Sequence, residues 1–202
     1  MQIVRVETLI SCGEVGESET WVRVKEEVHR DIEAVDWPPG SGQFTIYPEE
    51  GKKRGRGNGV KPIKDGLMRK LGKDGWKLEE PLDIAVVHRP GKIDAVLYSE
   101  LGPIALEWET GNISSSHRAL NKMALGLLKG CLAAGMLVVP SRALYRYLTD
   151  RVGNFLELAP YLDLWRSIPC RSGALEIVVV EHDATSLEVP RIAKGTDGRA
   201  LA

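Results

Sequence analysis

Two strand patterns, a polar cluster and a long amphipathic stretch follow one another without a break between residues 93 and 130, and this succession most constrains the fold. Residues 93–98 read as a strand, 99–102 as its turn and 104–109 as the returning strand. Over 115–130, Leu120, Met123, Ala124, Leu127, Leu128 and Cys131 fall at helical spacing, and Gly130 suits the stop. Upstream, a strand over 2–10 leads to an amphipathic helix over 18–32, with Trp21, Val24, Val28 and Ile32 on one face. Trp37-Pro38-Pro39-Gly40-Ser41-Gly42 breaks the chain, and an irregular region runs on through Asn58-Gly59 to a short helix over 63–71. Downstream come a strand over 136–139, helices over 142–149 and 156–165, and a strand over 175–181. The alternation predicts an α/β fold, a central mixed β-sheet flanked by helices.

The chemistry sits in the same stretch. Asp94 lies on the first strand of the pair, and Glu107 and Glu109 lie on the second, thirteen and fifteen positions later. Side chains alternate along a strand, so Glu107 and Glu109 share a face about 7 Å apart, and Leu106 and Trp108 share the other. Two acids on one face repel unless cations or solvent intervene. With Asp94 across the hairpin they form a hard-oxygen group suited to magnesium, which can generate hydroxide and stabilise charge on a phosphate. A lone Glu-x-Glu pair is more often the wet face of an edge strand. The acid on the neighbouring strand and the helix start that follows favour a metal site and metal-dependent cutting of nucleic acid.

The helix start carries Thr110, Asn112, Ser114, Ser115 and Ser116. Capping needs one of them, and the surplus can hydrogen-bond base edges. Arg118 and Lys122 lie one turn apart on that helix and suit phosphate. His117 reads as an exposed helix residue rather than a general base. Asp150-Arg151 follows a helix and reads either as a terminal charge pair or as a match for a G·C pair, since Arg can pair with guanine and Asp can accept from cytosine. Lys52, Lys53, Arg54, Arg56 and Lys61 crowd a Gly-rich loop with Lys64 just beyond, a solvated loop or a clamp for a nucleic-acid backbone.

Bulk properties narrow the class. A chain of 202 residues suits one domain over 1–202, and 43% hydrophobic with 27% charged residues is ordinary for a soluble protein. The N-terminus alternates like a strand rather than a signal peptide, and the longest apolar run, 131–140, is too short to span a bilayer. No membrane partner is expected. Cys12, Cys131 and Cys170 are odd in number and lack Cys-x-x-Cys spacing, which predicts free thiols in the cytoplasm and no zinc site. A net charge of −1 argues against indiscriminate nucleic-acid binding but not against a specific binder. The 156–165 stretch is apolar on more than one face, so it is either deeply buried or shared with a partner, and in a domain this size a contact between two copies of the chain is favoured.

Longer motifs add a resemblance. Glu109-Thr110-Gly111-Asn112-Ile113-Ser114-Ser115, His117-Arg118, Asn121-Lys122 and Gly126-Leu127 closely resemble the BamHI family of type II restriction endonucleases. So do 147–152, Asn154-Phe155, Glu157-Leu158 and Pro160-Tyr161, with weaker matches from Trp37-Pro38 to 81–84 and again from Val189-Pro190 to Asp197-Gly198. The likeness covers most of the chain beyond Trp37 and little of the first 36 residues. It implies a PD-(D/E)XK nuclease core with Glu109 in place of the usual lysine. Asp94 and Glu107 would ligate Mg2+, Glu109 would position or deprotonate the attacking water, and Glu79, by itself a surface acid, would complete the cluster. Beside such a site, Lys64, Arg118 and Lys122 read as contacts to the DNA backbone or as solvated charges. Asn112, Ser114, Asp150, Arg151 and Asp197 would read bases in double-stranded DNA. The implied target is GGATCC, cut by a homodimer to leave 5′-phosphate ends, with a cognate DNA methyltransferase to protect the host. The loop after Glu50 is longer and more basic than the family's, Arg199 stands where the relative has Met, and the chain ends four residues after Gly198.

Two other classes compete. A catalytically inactive DNA-binding protein derived from a nuclease would share the motifs, but decay removes acids such as Asp94, Glu107 and Glu109 first. A glycosidase also uses paired carboxylates, yet nothing here suggests an aromatic groove for a sugar.

Overall fold

The structure is a computed structural model that describes residues 1–51, 55–84, 91–149 and 152–194. The chain opens with β1 (Gln2–Cys12), a short helix α1 (Gly13–Glu17) and α2 (Glu19–Glu33). Ser18 caps α2 by accepting the Trp21 N–H, and Trp21, Val24, Val28 and Ile32 are all buried, as their spacing predicts. After the two-residue β2 (Thr45–Ile46), α3 (Lys61–Lys73) is longer than the predicted 63–71. Pro62 suits its first turn, and Lys70 and Lys73 favour its carboxyl end.

Strands β3 (Lys77–Pro81), β4 (Lys92–Ser99) and β5 (Gly102–Trp108) lead into α4 (Ile113–Leu128). Asn112 caps α4, so the helix begins two residues before the predicted 115, and Gly130 ends it with φ 68°. Then follow β6 (Ala134–Pro140), α5 (Arg142–Tyr145), α6 (Phe155–Leu158), α7 (Leu162–Arg166), β7 (Gly173–Glu181) and β8 (Ala184–Thr185).

Six strands form one mixed sheet in the order β1-β7-β6-β5-β4-β3. β5, β6 and β7 run parallel, and the remaining pairs are antiparallel. One face packs Ala95, Leu106, Val138 and Val178 against α2 and α3. The other packs Ala105, Leu137 and Ile177 against Leu120, Met123 and Trp165. Burial on both faces explains why β6 and most of β7 are continuous apolar runs without alternation.

Two predicted helices are shorter than expected. The helix over 142–149 stops at Tyr145, because the backbone of Tyr147 and Thr149 bonds Asn58 instead of continuing the helix. The helix over 156–165 is broken by a 3-10 turn, Ala159–Tyr161, between α6 and α7. Pro160 has no N–H to donate to the preceding turn, and its ring opposes continuous α-helix.

Candidate active site

The register of the β4–β5 hairpin, with Ala95 facing Leu106, sets Asp94 across from Glu107. The Asp94 N–H donates to Glu107 Oε2 at 3.3 Å, and Asp94 Oδ2 accepts the Trp108 N–H at 2.8 Å. Lys64 Nζ, reaching over from α3, donates to Asp94 Oδ1. One residue past β5, the Glu109 N–H donates to the Val138 carbonyl at 3.0 Å, which keeps the chain extended and turns Glu109 to the same side as Glu107. Trp108 is buried on the other side.

The Glu109 carboxylate accepts the Gly111 N–H. A Cβ at Gly111 would stand 2.9 Å from Glu109 Oε1 and 3.0 Å from Ser115 Oγ, so glycine lets the chain turn tightly into α4. Asn112 Oδ1 accepts the Ser115 N–H at 3.2 Å as the cap, a use that engages the amide's acceptor and not its NH2 group. Ser114 and Arg118 point outward from the same turn, and Ser116 is buried. Lys122 Nζ donates to the carbonyls of Gly91 and Lys92 at 2.8 and 2.9 Å. Together Lys64, Asp94, Glu107, Glu109, Thr110, Ser114, Arg118 and Lys122 line an open cleft of about 1260 Å³.

The predicted acids do not all converge. Glu79 stands opposite Asp94 by the β3–β4 register, but its φ is 52°, its side chain is 59% exposed, and it lies outside the cleft lining, 3.9 Å from Lys92. A positive φ is unfavourable for a residue with a Cβ, and such strain concentrates at functional positions. Asp150, Arg151 and Asp197, and Lys52, Lys53 and Arg54 of the basic loop, lie outside the described residues. His117 is half-buried rather than exposed, edge-on to Tyr161 at 4.7 Å between ring centres and 5.5 Å from Trp165. Cys12, Cys131 and Cys170 are free and half-buried.

The electrostatics follow from crowding. Burial, and then the charge on Asp94, push the Glu107 carboxyl up to about 8. Burial also raises Glu109, against the opposing Gly111 N–H. Desolvation lowers Lys122, against the attraction of Glu107. Over the interval from 4.5 to about 8 the folded protein therefore holds a Glu107 proton that the unfolded chain has released. Stability from this group is present at low pH, is lost as pH rises through that window, and stays flat above it. In chelator, the melting temperature is expected to fall between pH 5 and pH 9, and Glu107→Gln to flatten much of the fall. An equal fall in the variant would remove Glu107 as its source.

Among the described residues no three Asp, Glu, His or Cys side chains close into a metal cage. The cleft instead offers two adjoining carboxylates, Asp94 and Glu107, opening onto space lined by cations. Magnesium prefers this arrangement, because it dehydrates reluctantly and keeps water and phosphate oxygens beside one or two carboxylates. The donor set fits that ion. The main groups that the sequence did not single out are the Trp108 N–H and the Gly91 and Lys92 carbonyls; backbone groups carry no residue-type signal.

A family model described as restriction endonuclease BamHI matches residues 1–199, so the likeness extends through the first 36 residues as well. The chain is 48% identical over 201 residues to the type II restriction enzyme OkrAI of Oceanobacter kriegii, covering 100% of both chains. It is 39% identical over 180 residues to the type II restriction enzyme BamHI of Bacillus amyloliquefaciens, covering 85% of this chain and 80% of that one. In fold it is similar to the restriction endonuclease BglII, solved in complex with a DNA 16-mer, with a TM-score of 0.66 at 9% identity over 95% of this chain and 88% of that one.

Proposed function

Because the chain belongs to the BamHI family of restriction endonucleases, we propose that it hydrolyses double-stranded DNA at the palindrome GGATCC, with magnesium bound and 5′-phosphate ends released. The class is that of the type II site-specific deoxyribonucleases, which its relatives' names state. The observation that carries the finer reading is the cleft itself. Asp94 and Glu107 adjoin at its floor, and Lys64, Arg118 and Lys122 surround them beside the amino end of α4.

In this reading Asp94 and Glu107 hold the ion. When bound, magnesium makes water more acidic and neutralises charge building on the phosphate. Glu109 orients the attacking water and takes its proton, a task that its raised pKa favours. Glu79 completes the acidic rim from β3. Lys64, Arg118 and Lys122 contact the DNA backbone, and the amino end of α4 favours the nearby phosphate. Asn112 and Ser114 read the centre of the site, and Asp150, Arg151 and Asp197 read further base pairs.

A palindrome read this way requires a two-fold homodimer. Leu156, Tyr161 and Leu164 are 57%, 49% and 62% exposed in the α6–α7 segment, and Leu128 at the end of α4 is 49% exposed. Their burial against a second copy accounts for the two-sided apolar pattern. One domain spans the chain, no described helix is long and apolar enough to cross a membrane, and the cytoplasm is the proposed compartment. There a cognate methyltransferase protects the host genome.

The test uses magnesium and two plasmids, one carrying a single GGATCC and one with that site altered. Cutting of the first alone is the expected outcome. Cutting of both would discard the specificity, and a gel shift on the first without cutting would favour a binding-only protein.

A further inference from the structure

Gly51, Asn58 and Gly59 grip two segments that are distant in sequence. Asn58 is fully buried. Asn58 Nδ2 donates to the carbonyls of Tyr47 and Tyr147 at 2.8 and 2.9 Å, and Oδ1 accepts the Ile192 N–H at 3.0 Å. Its backbone N–H donates to the Tyr147 carbonyl at 2.8 Å, and its carbonyl accepts the Thr149 N–H at 3.0 Å. A buried amide engaged on both its donor and acceptor sides holds its partners in one arrangement, because each broken bond strands a buried polar group.

The flanking glycines permit this grip. A Cβ at Gly51 would stand 1.6 Å from the Leu148 carbonyl oxygen, and one at Gly59 would stand 2.1 Å from that of Ala193. Backbone lies directly on backbone at both places. The Gly51 N–H donates to the Arg146 carbonyl and the Gly59 N–H to the Ile192 carbonyl, each at 3.0 Å.

The gripped segments lead into residues that the proposed function uses. Thr149 directly precedes Asp150-Arg151, and Lys194 lies three positions before Asp197. Asn58 and Gly59 thus hold the backbone at Thr149 and Ile192, within the segments that carry these residues in sequence. We infer that Asn58, with Gly51 and Gly59, is a positioning element that sets how strictly base pairs are discriminated without itself reading a base. The inference rests on Asp150, Arg151 and Asp197 being base readers.

The test compares kcat/KM on a GGATCC duplex with kcat/KM on duplexes changed at one base pair. Asn58→Ala is expected to narrow the ratio by about 10-fold or more, within the range of one lost base contact. Gly51→Ala should narrow it at the pair that Arg151→Ala affects, and Gly59→Ala at the pair that Asp197→Ala affects. Asn58→Ser, which keeps a hydroxyl at the position and adds no bulk, decides the matter if Asn58→Ala does not fold, since a Cβ at Gly51 or Gly59 displaces backbone. A purely structural role would slow cleavage of every duplex alike. That result, or unchanged ratios, would overturn the inference if Arg151→Ala and Asp197→Ala still alter discrimination. If those two variants leave the ratios unchanged, the base-reader assignment fails, and the role of Asn58 fails with it.

Discussion

Glu107→Ala is expected to lower the cleavage rate at least about 10³-fold, since a catalytic metal supplies several kcal/mol of transition-state stabilisation. DNA binding should survive. Removing the side chain takes away one of the two adjoining donors and leaves Asp94 alone to hold a cation. It also clears a carboxyl from the lining of a cleft that must accept phosphate. Folding should not suffer, because the carboxyl is pushed up to about 8, so the folded state disfavours its charged form. Single-turnover cleavage measured beside a gel shift in calcium separates the two effects. Cutting within 10-fold of the parent enzyme would remove Glu107 from the metal site.

Leu156→Asp with Leu164→Asp is expected to dissociate the dimer and abolish double-strand cleavage. In a two-fold interface each substitution acts twice, once from each copy. Burying a leucine stabilises by about 1.5–3 kcal/mol, and an unpaired aspartate in its place costs more. The combined change should weaken association at least about 10³-fold, allowing generously for partial burial and rearrangement. Both side chains are more than half exposed in the protomer, so the fold itself should hold. Sedimentation equilibrium reads the outcome. A double variant that remains dimeric would place the interface elsewhere.

Legibility in the sequence differed between elements for physical reasons. The β4–β5 hairpin and α4 were readable because local periodicity and capping residues determine them, and the shared face of Glu107 and Glu109 was readable because side chains alternate along a strand. The 156–165 helix was over-read because its apolar spacing outweighed Pro160, whose missing N–H breaks the α pattern. The 142–149 helix was over-read for a different reason. Its competitor is Asn58, some ninety residues earlier, and no local pattern announces a hydrogen bond of that range.

By itself, the sequence determined the order of the main strands and helices other than β3, and the family, because periodicity and motif are properties of neighbours along the chain. Tertiary structure decided the rest. Strand register set Asp94 against Glu107, α3 brought Lys64 to Asp94, and desolvation raised Glu107. Glu79 remained outside the cleft lining, in an exposed position beside Lys92. Register, burial and distance depend on groups far apart in sequence, and they take values only when the sheet closes and water leaves the cleft.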